Sequence, residues 1–208
     1  MIDNKALRTA ALILAAATIS TQLSGCFPVL IGAVGAGAYA TTDRRSLGAQ
    51  ADDKVIASRA ASRIEDALSD RAHINVNSFN RKVLLTGEVP DEASRQKAEQ
   101  IAKSVDNVQS VVADLEIGGM TPSTARNNDS FITGKVKTEL VSSKDIFANA
   151  YKVVTEKSIV YLMGRVTRGE GDRAAEVARG VSGVAKVVKA FDYITDDELA
   201  QIRKTGAQ

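Results

Sequence analysis

The sequence contains a tandem repeat, and this duplication limits the folds that the chain can adopt. The segment Val83-Leu84-Leu85-Thr86-Gly87-Glu88-Val89 recurs 77 positions later as Val160-Tyr161-Leu162-Met163-Gly164-Arg165-Val166. A second pattern, Val105-x-x-Val108-x-x-Val111-Val112, recurs 76 positions later as Val181-x-x-Val184-x-x-Val187-Val188. Because both copies carry the same apolar pattern, each is predicted to form the same small folding unit.

Each copy also contains two helical patterns, in which apolar residues recur three or four positions apart. In the first helices we align Ala60, Ile64 and Leu68 with Ile132, Val136 and Leu140, at an offset of 72. The offset between the copies is 72 at the first helices and 77 at the strands that follow. This difference predicts a five-residue insertion at 142–150 of the second copy. The second helices carry the matched sets Ala98, Ile101, Ala102, Val105 and Ala174, Val177, Ala178, Val181.

Two apolar segments of strand type follow the first helix of each copy, and a third follows the second helix. The predicted strands are 74–79, 83–88 and 108–117, then 152–155, 159–164 and 184–194. This order predicts an α+β fold of two αββαβ domains, each a small three-stranded mixed sheet packed by two helices. The predicted domains are 52–117 and 129–194, with a linker at 118–128 and a C-terminal tail at 195–208.

The N-terminal segment has the pattern of a bacterial lipoprotein signal, in which a basic and then an apolar stretch leads to Leu23-Ser24-Gly25-Cys26. The apolar stretch is shorter than the roughly 20 residues of a membrane span. We therefore predict a signal peptide at 1–25, acylation of Cys26 by chains such as palmitate, and a lipidated tether at 26–51. Phe27, and not Asp, follows Cys26, which favours the periplasmic side of the outer membrane of a Gram-negative bacterium.

Two αββαβ copies, each with an apolar strand ending in Gly and a closing Val-x-x-Val-x-x-Val pattern, resemble the BON domain. With the lipoprotein signal, the chain resembles the dual-BON outer-membrane lipoproteins, and the match extends to 42–53, 128–133 and 181–184. The resemblance implies a non-enzymatic periplasmic protein that supports outer-membrane integrity and binds anionic phospholipid through its second BON domain. It also implies association with division sites and with the β-barrel assembly machinery. One departure is Phe131, where the family resemblance implies tryptophan.

Charge differs between the two copies, with a net −3 over 52–117 and +3 over 129–194. A positive surface favours contact with anionic lipid. Phe131 lies one residue off the apolar stripe and, at the offset of 72, aligns with Arg59, so an aromatic residue replaces a charged one. The predicted lipid-binding residues are Phe131, Ile132, Lys135 and Lys137. The alternative is that Phe131 packs over the core or against the other repeat.

The sequence contains no G-x-S-x-G or H-E-x-x-H motif and no phosphate-binding glycine loop. His73 is the only histidine and Cys26 the only cysteine, and we interpret His73 as a loop or strand-start residue. We therefore expect no catalytic residue, no cofactor beyond the lipid on Cys26, no metal and no nucleic-acid partner. The alternative function is an envelope scaffold that binds protein or peptidoglycan and contacts lipid only through the Cys26 anchor.

Overall fold

A computed structural model describes residues 43–205, all of which belong to one compact unit. The predicted signal peptide, Cys26 and the tether as far as residue 42 lie outside the described residues. Within the described part of the chain, no helix is both long enough and apolar enough to cross a membrane.

The first repeat forms the predicted αββαβ unit. Its elements are α1 (Leu47–Leu68), β1 (His73–Phe79), β2 (Lys82–Val89), α2 (Glu92–Lys103) and β3 (Ser110–Ile117). β2 pairs antiparallel with β1 and parallel with β3, so the sheet is mixed as predicted. α1 begins inside the segment predicted as tether, because the Ser46 hydroxyl caps it by accepting a 3.1 Å hydrogen bond from Ala49 N.

The second repeat has the same order of elements with one helix added. Its elements are α3 (Ser123–Ser142), β4 (Tyr151–Glu156), β5 (Ile159–Val166), α4 (Arg168–Arg179), β6 (Lys186–Lys189), β7 (Asp192–Tyr193) and α5 (Asp196–Thr205). α3 begins inside the predicted linker, directly after Pro122, because proline restricts the residue before it to extended conformations. α5 occupies the predicted tail and is capped by reciprocal hydrogen bonds between Thr195 and Glu198.

The predicted strand 184–194 is divided into β6 and β7, which both pair parallel with β5. The register continues across the break, since Ile159 is opposite Lys186 and Val166 is opposite Tyr193. At the break the Phe191 ring is buried and packs edge-on against neighbouring tyrosine rings, with centroids 6.0 and 5.8 Å away. The ladder is therefore interrupted at the buried Phe191 without a change of register.

An aspartate on the first helix of each domain binds the hairpin turn of the same domain. Asp53 on α1 accepts 2.7 Å hydrogen bonds from the backbone N–H groups of Asn80 and Arg81. Asp129 on α3 accepts bonds of 2.9 and 2.8 Å from the corresponding groups of 157 and 158. All four turn residues have positive φ, as a tight two-residue hairpin turn requires.

These two aspartates are 76 positions apart, and this spacing corrects the alignment of the helices. The buried Ile56, Ala60 and Ile64 of α1 correspond to Ile132, Val136 and Leu140 of α3. The offset of 72 was wrong by one helical turn, and the predicted five-residue insertion is a single residue. Phe131 therefore corresponds to Val55, and not to Arg59.

The two sheets face each other, and the helices cover their outer faces. The residues between the sheets come from both domains and are Phe79, Leu84, Tyr161, Met163 and Ala190. The partly buried Val112, Val154, Ile159 and Val188 pack against them. Polar bonds surround this apolar centre, including those from Asn80 Nδ2 to Asp192 at 2.6 Å and from Tyr161 OH to Asp114 at 3.0 Å. Each domain keeps its own sheet and its own helix-side core.

The segment before α1 is attached to the second domain through Arg44. Its side chain is 7% exposed and donates two 2.7 Å hydrogen bonds to the Glu170 carboxylate and one of 3.1 Å to the Arg165 carbonyl. Glu170 also accepts from Thr167 N, which completes the capping box of α4. Burial alone would raise the pKa of Glu170, but these bonds hold it below its usual range.

We predict that Asp53→Ala destabilises the protein more than Asp129→Ala. Asp53 accepts four hydrogen bonds, from Ser78, Asn80, Arg81 and Arg45, whereas two backbone bonds are described for Asp129. Asp53→Ala should lower the free energy of unfolding by about 3 kcal/mol and Asp129→Ala by about 1–2 kcal/mol. Urea unfolding followed by circular dichroism measures both, and equal losses would contradict the assignment.

We predict that Glu170→Gln removes a pH-dependent part of the stability. A carboxyl whose pKa is lower in the folded state stabilises the fold above its unfolded pKa of about 4.3, and this stabilisation is lost as pH falls through the folded pKa. The variant should lose roughly 2–3 kcal/mol at pH 7 and less at pH 3 in urea unfolding. Glu65→Gln, which changes an exposed carboxylate on α1, is the control and should have little effect at either pH.

Candidate functional site

Phe131 is an exposed aromatic side chain on the outer surface of α3. Its side chain is 71% exposed, whereas the adjacent Ile132 is 1% exposed and packs in the helix-side core. Successive helical residues are about 100° apart, so this contrast follows from the stripe that continues through Val136 and Leu140. Packing of Phe131 over the core or against the first domain, the alternative considered above, is not observed.

Lys135 lies one turn after Phe131 on the same surface. Its Nζ is 5.6 Å from the centroid of the Phe131 ring and donates a hydrogen bond to the Ser182 carbonyl. Gly183 permits this approach, because its φ is +98° and a Cβ there would lie 3.2 Å from Ile132 and 3.5 Å from Lys135 Nζ. The ammonium group and the aromatic ring are therefore held together at the surface.

A groove of about 860 Å³ runs between α3 and α4 beside this pair. Its residues include Phe131, Gly134, Lys135, Thr138, Val177 and Val181. Arg173 at its edge is neutralised by Asp145 at 2.8 Å and Glu176 at 3.0 Å. Lys135, by contrast, has no carboxylate within 4.0 Å among the described residues, so its positive charge is available to an anionic group.

The first domain has a different set of residues at the corresponding positions. At the offset of 76, Phe131 corresponds to Val55, Lys135 to Arg59 and Ser182 to Asp106. Val55 is 48% exposed and much smaller than phenylalanine, and Arg59 is paired with Asp106 at 3.4 Å. The second domain thus has a larger exposed apolar group and a cation without an acidic partner.

Two of the four predicted site residues lie together, and two do not join them. Phe131 and Lys135 share one surface, but Ile132 is buried in the core and cannot contact a ligand at the surface. Lys137 is exposed beside Asp43 and Tyr151. It is six residues from Phe131, about 240° around the helix, and therefore faces another direction. Ser182 and Gly183 were noted only as part of the family match at 181–184 and were not predicted as site residues. The 76-residue repeat of the valine pattern could have matched them with Asp106 and Asn107.

A second polar cluster lies between the two sheets, where His73 Nδ1 is 3.3 Å from Glu88 Oε2. Burial would raise the pKa of Glu88, but hydrogen bonds from Thr121 and Lys157 hold it below its usual range. Burial raises the pKa of Glu156 even though Asn75 donates a 2.6 Å hydrogen bond to its carboxylate. The pKa values move in opposite directions because Glu88 accepts hydrogen bonds from a hydroxyl and an ammonium group, whereas Glu156 accepts one from a neutral amide.

Comparison with known proteins identifies the two repeats. The BON domain model matches residues 52–119 and 128–195, which are also 76 positions apart. The chain is 34% identical over 184 residues to outer membrane lipoprotein DolP of Haemophilus influenzae, covering 88% of this chain and 94% of that protein. It is 36% identical over 154 residues to a 21 kDa hemolysin of Actinobacillus pleuropneumoniae, covering 73% and 79%.

A more distant relative is osmotically-inducible protein Y of Escherichia coli, which is 26% identical over 156 residues, covering 73% of this chain and 78% of that protein. The chain matches a DolP protein over nearly its full length, and it matches the BON domain model twice. These two findings establish its family. The chain belongs to the BON-domain family and is a DolP-like protein with two BON domains.

Proposed function

We propose that this chain is a non-enzymatic outer-membrane lipoprotein, facing the periplasm, whose second BON domain binds anionic phospholipid and which supports outer-membrane integrity. The observation that carries the proposal is the pair formed by the exposed Phe131 ring and the Lys135 ammonium beside the groove between α3 and α4. The name of the Haemophilus influenzae relative supports the outer membrane as the location. The family resemblance adds division sites and β-barrel assembly proteins as proposed partners.

The expected affinity of this surface for lipid is modest. Complete burial of a phenylalanine side chain contributes roughly 1.5–3 kcal/mol, and one basic residue near an anionic membrane adds about 1 kcal/mol. These terms suit a contact that acts together with a separate anchor. Sixteen residues lie between Cys26 and Asp43, and such a chain reaches at most about 55 Å. The acyl anchor can therefore keep the domains close to the membrane while Phe131 inserts.

The first test measures binding of residues 38–208 to vesicles. We expect this compact unit to sediment with phosphatidylglycerol vesicles and to bind phosphatidylcholine vesicles more weakly, because Lys135 attracts anionic headgroups. Phe131→Glu should reduce binding ten- to hundredfold, since it removes the apolar contact and adds a repelled charge. Added salt should weaken binding as the Debye length falls below about 8 Å.

Val55→Glu is the matched control, because it makes the same change at the corresponding exposed position of the first domain. It should leave vesicle binding unchanged, and both variants should retain the wild-type circular dichroism spectrum. Unchanged binding by Phe131→Glu would reject the site. Absence of vesicle binding by residues 38–208 would instead favour the scaffold function, with lipid contact only through the anchor.

The second test concerns Cys26, which lies outside the described residues. In a Gram-negative host, Cys26→Ala should leave an unprocessed precursor that takes up no labelled fatty acid, because acylation needs the thiol. The wild-type chain should incorporate the label and fractionate with the outer membrane. Normal processing of the variant would show that the N-terminal segment is not a lipoprotein signal.

A further inference from the structure

Three side chains that can ligate a metal meet between the two sheets. His73 and Glu88 are cross-strand neighbours in the first domain, and Glu156 comes from β4 of the second domain. One ligand atom from each lies within 4.8 Å of the other two. Glu88 is completely buried and Glu156 is 5% exposed, so neither carboxylate is a solvated surface group.

At this cluster the carboxylates outnumber the lysine and arginine side chains that contact them. Lys157 is the cation here, with its Nζ 3.1 Å from Glu88 Oε1 and 2.8 Å from the exposed Glu116. The Glu156 carboxylate accepts its 2.6 Å hydrogen bond from the neutral Asn75 amide. The Lys157 ammonium group thus pairs with Glu88 and Glu116 of the first domain, while Glu156 comes from the second domain. Buried negative charge without a matching cation is costly, and a divalent cation would offset it.

An independent feature of the same layer is the Thr86 hydroxyl. It is fully buried, and its oxygen has no hydrogen-bond partner among the described residues. Thr86 lies two residues before Glu88 on the same face of β2 and directly opposite Asn75, whose amide binds Glu156. A buried hydroxyl of this kind is normally satisfied by a water molecule or an ion, and a metal-bound water would supply that partner.

We propose that His73, Glu88 and Glu156 bind a divalent transition-metal cation of the Zn²⁺ type between the two BON domains. One imidazole nitrogen and two carboxylate oxygens form a donor set that suits Zn²⁺ with water as the fourth ligand. Ca²⁺ and Mg²⁺ prefer oxygen donors alone. A tetrahedral zinc site places ligand atoms about 3.4 Å apart. The 3.3 Å between His73 Nδ1 and Glu88 Oε2 already meets this value. All three ligand atoms lie within 4.8 Å of one another, so a small shift of the Glu156 side chain would complete the site.

Such a site would link the domains, because two ligands come from one domain and one from the other. A cation that binds only the folded state stabilises it by mass action. At a hundredfold excess of free Zn²⁺ over its dissociation constant, Tm should therefore rise by about 5 °C or more. The same concentrations of Mg²⁺ or Ca²⁺ should leave Tm unchanged within about 1 °C.

The test uses the full chain carrying Cys26→Ser, which removes the only thiol and hence an unrelated zinc ligand. Calorimetric titration with ZnCl₂ should give one ion per chain. His73 is the only histidine, so its imidazole signals in NMR spectra report on this site alone. These signals should shift with Zn²⁺ and should saturate at the same stoichiometry.

His73→Gln and Glu156→Gln should each weaken Zn²⁺ binding at least tenfold and remove the rise in Tm. Glu116→Gln is the matched control, because this carboxylate contacts Lys157 but lies outside the donor set, and it should retain binding. Should Glu156→Gln fail to fold, the partly exposed His73 provides the second variant. Zn²⁺ binding that persists in a folded His73→Gln or Glu156→Gln chain, or His73 signals that do not respond to Zn²⁺, would overturn the site.

Discussion

The packing of two sheets against each other is the constraint on which this structure depends. In each αββαβ unit the helices cover one face of a small mixed sheet and leave the other face without cover from its own domain. That second face carries Leu84 in the first domain and Tyr161 and Met163 in the second, all buried. Exposing these groups to water would cost roughly 1.5–3 kcal/mol for each large side chain. The duplication therefore supplies each domain with the cover that its sheet needs.

Polar groups at the edges of this interface make the pairing specific. Lys82 Nζ bonds to the Phe191 carbonyl at 2.5 Å, and Lys152 Nζ lies 3.3 Å from the Ser78 carbonyl, so each domain donates to the backbone of the other. Arg44 adds a third connection by joining the segment before α1 to α4. A buried bidentate arginine pair requires defined geometry, which favours one relative placement of the partners.

The sequence allowed most of the fold to be predicted, because hydrophobic periodicity and repetition are both visible without coordinates. The αββαβ order of each repeat was correct, and Phe131 was correctly placed off the buried stripe. The helix α5 and the division of the last strand into β6 and β7 were not predicted. The alignment of α1 with α3 was wrong, because a slip of one helical turn keeps the same face of the helix toward the core. Ile64 fits opposite Val136 in one alignment and opposite Leu140 in the other.

The information that fixes this register lies in tertiary hydrogen bonds. Asp53 and Asp129 were indistinguishable in the sequence from other acidic residues near a helix start, and only the structure shows that each binds a hairpin turn. The same limit applies to the candidate site. Lys137 was grouped with Phe131 by closeness in sequence, whereas the direction of each side chain around α3 separates them. His73 was assigned no role, because Glu156 approaches it from 83 residues away.

The corrected register strengthens the argument for different roles of the two domains. The net charges of −3 and +3 describe whole domains. The structure also shows a charge difference at single corresponding positions of the two domains. An arginine held by an aspartate in the first domain is replaced by a lysine beside a neutral carbonyl in the second. The exposed valine beside it is replaced by phenylalanine. Both changes increase attraction to an anionic apolar surface, one through charge and the other through buried area.

The position of these groups also determines what membrane contact would require of the fold. Phe131 and Lys135 lie on the outer helical layer, whereas the apolar contacts that join the domains and the ion pair between Lys157 and Glu88 lie between the sheets. Insertion of Phe131 into a membrane would therefore leave the sheet interface closed and the helix-side core undisturbed. A surface that is already exposed and already ordered binds without the cost of opening a domain, so a contact of a few kcal/mol is sufficient once an anchor keeps the membrane near.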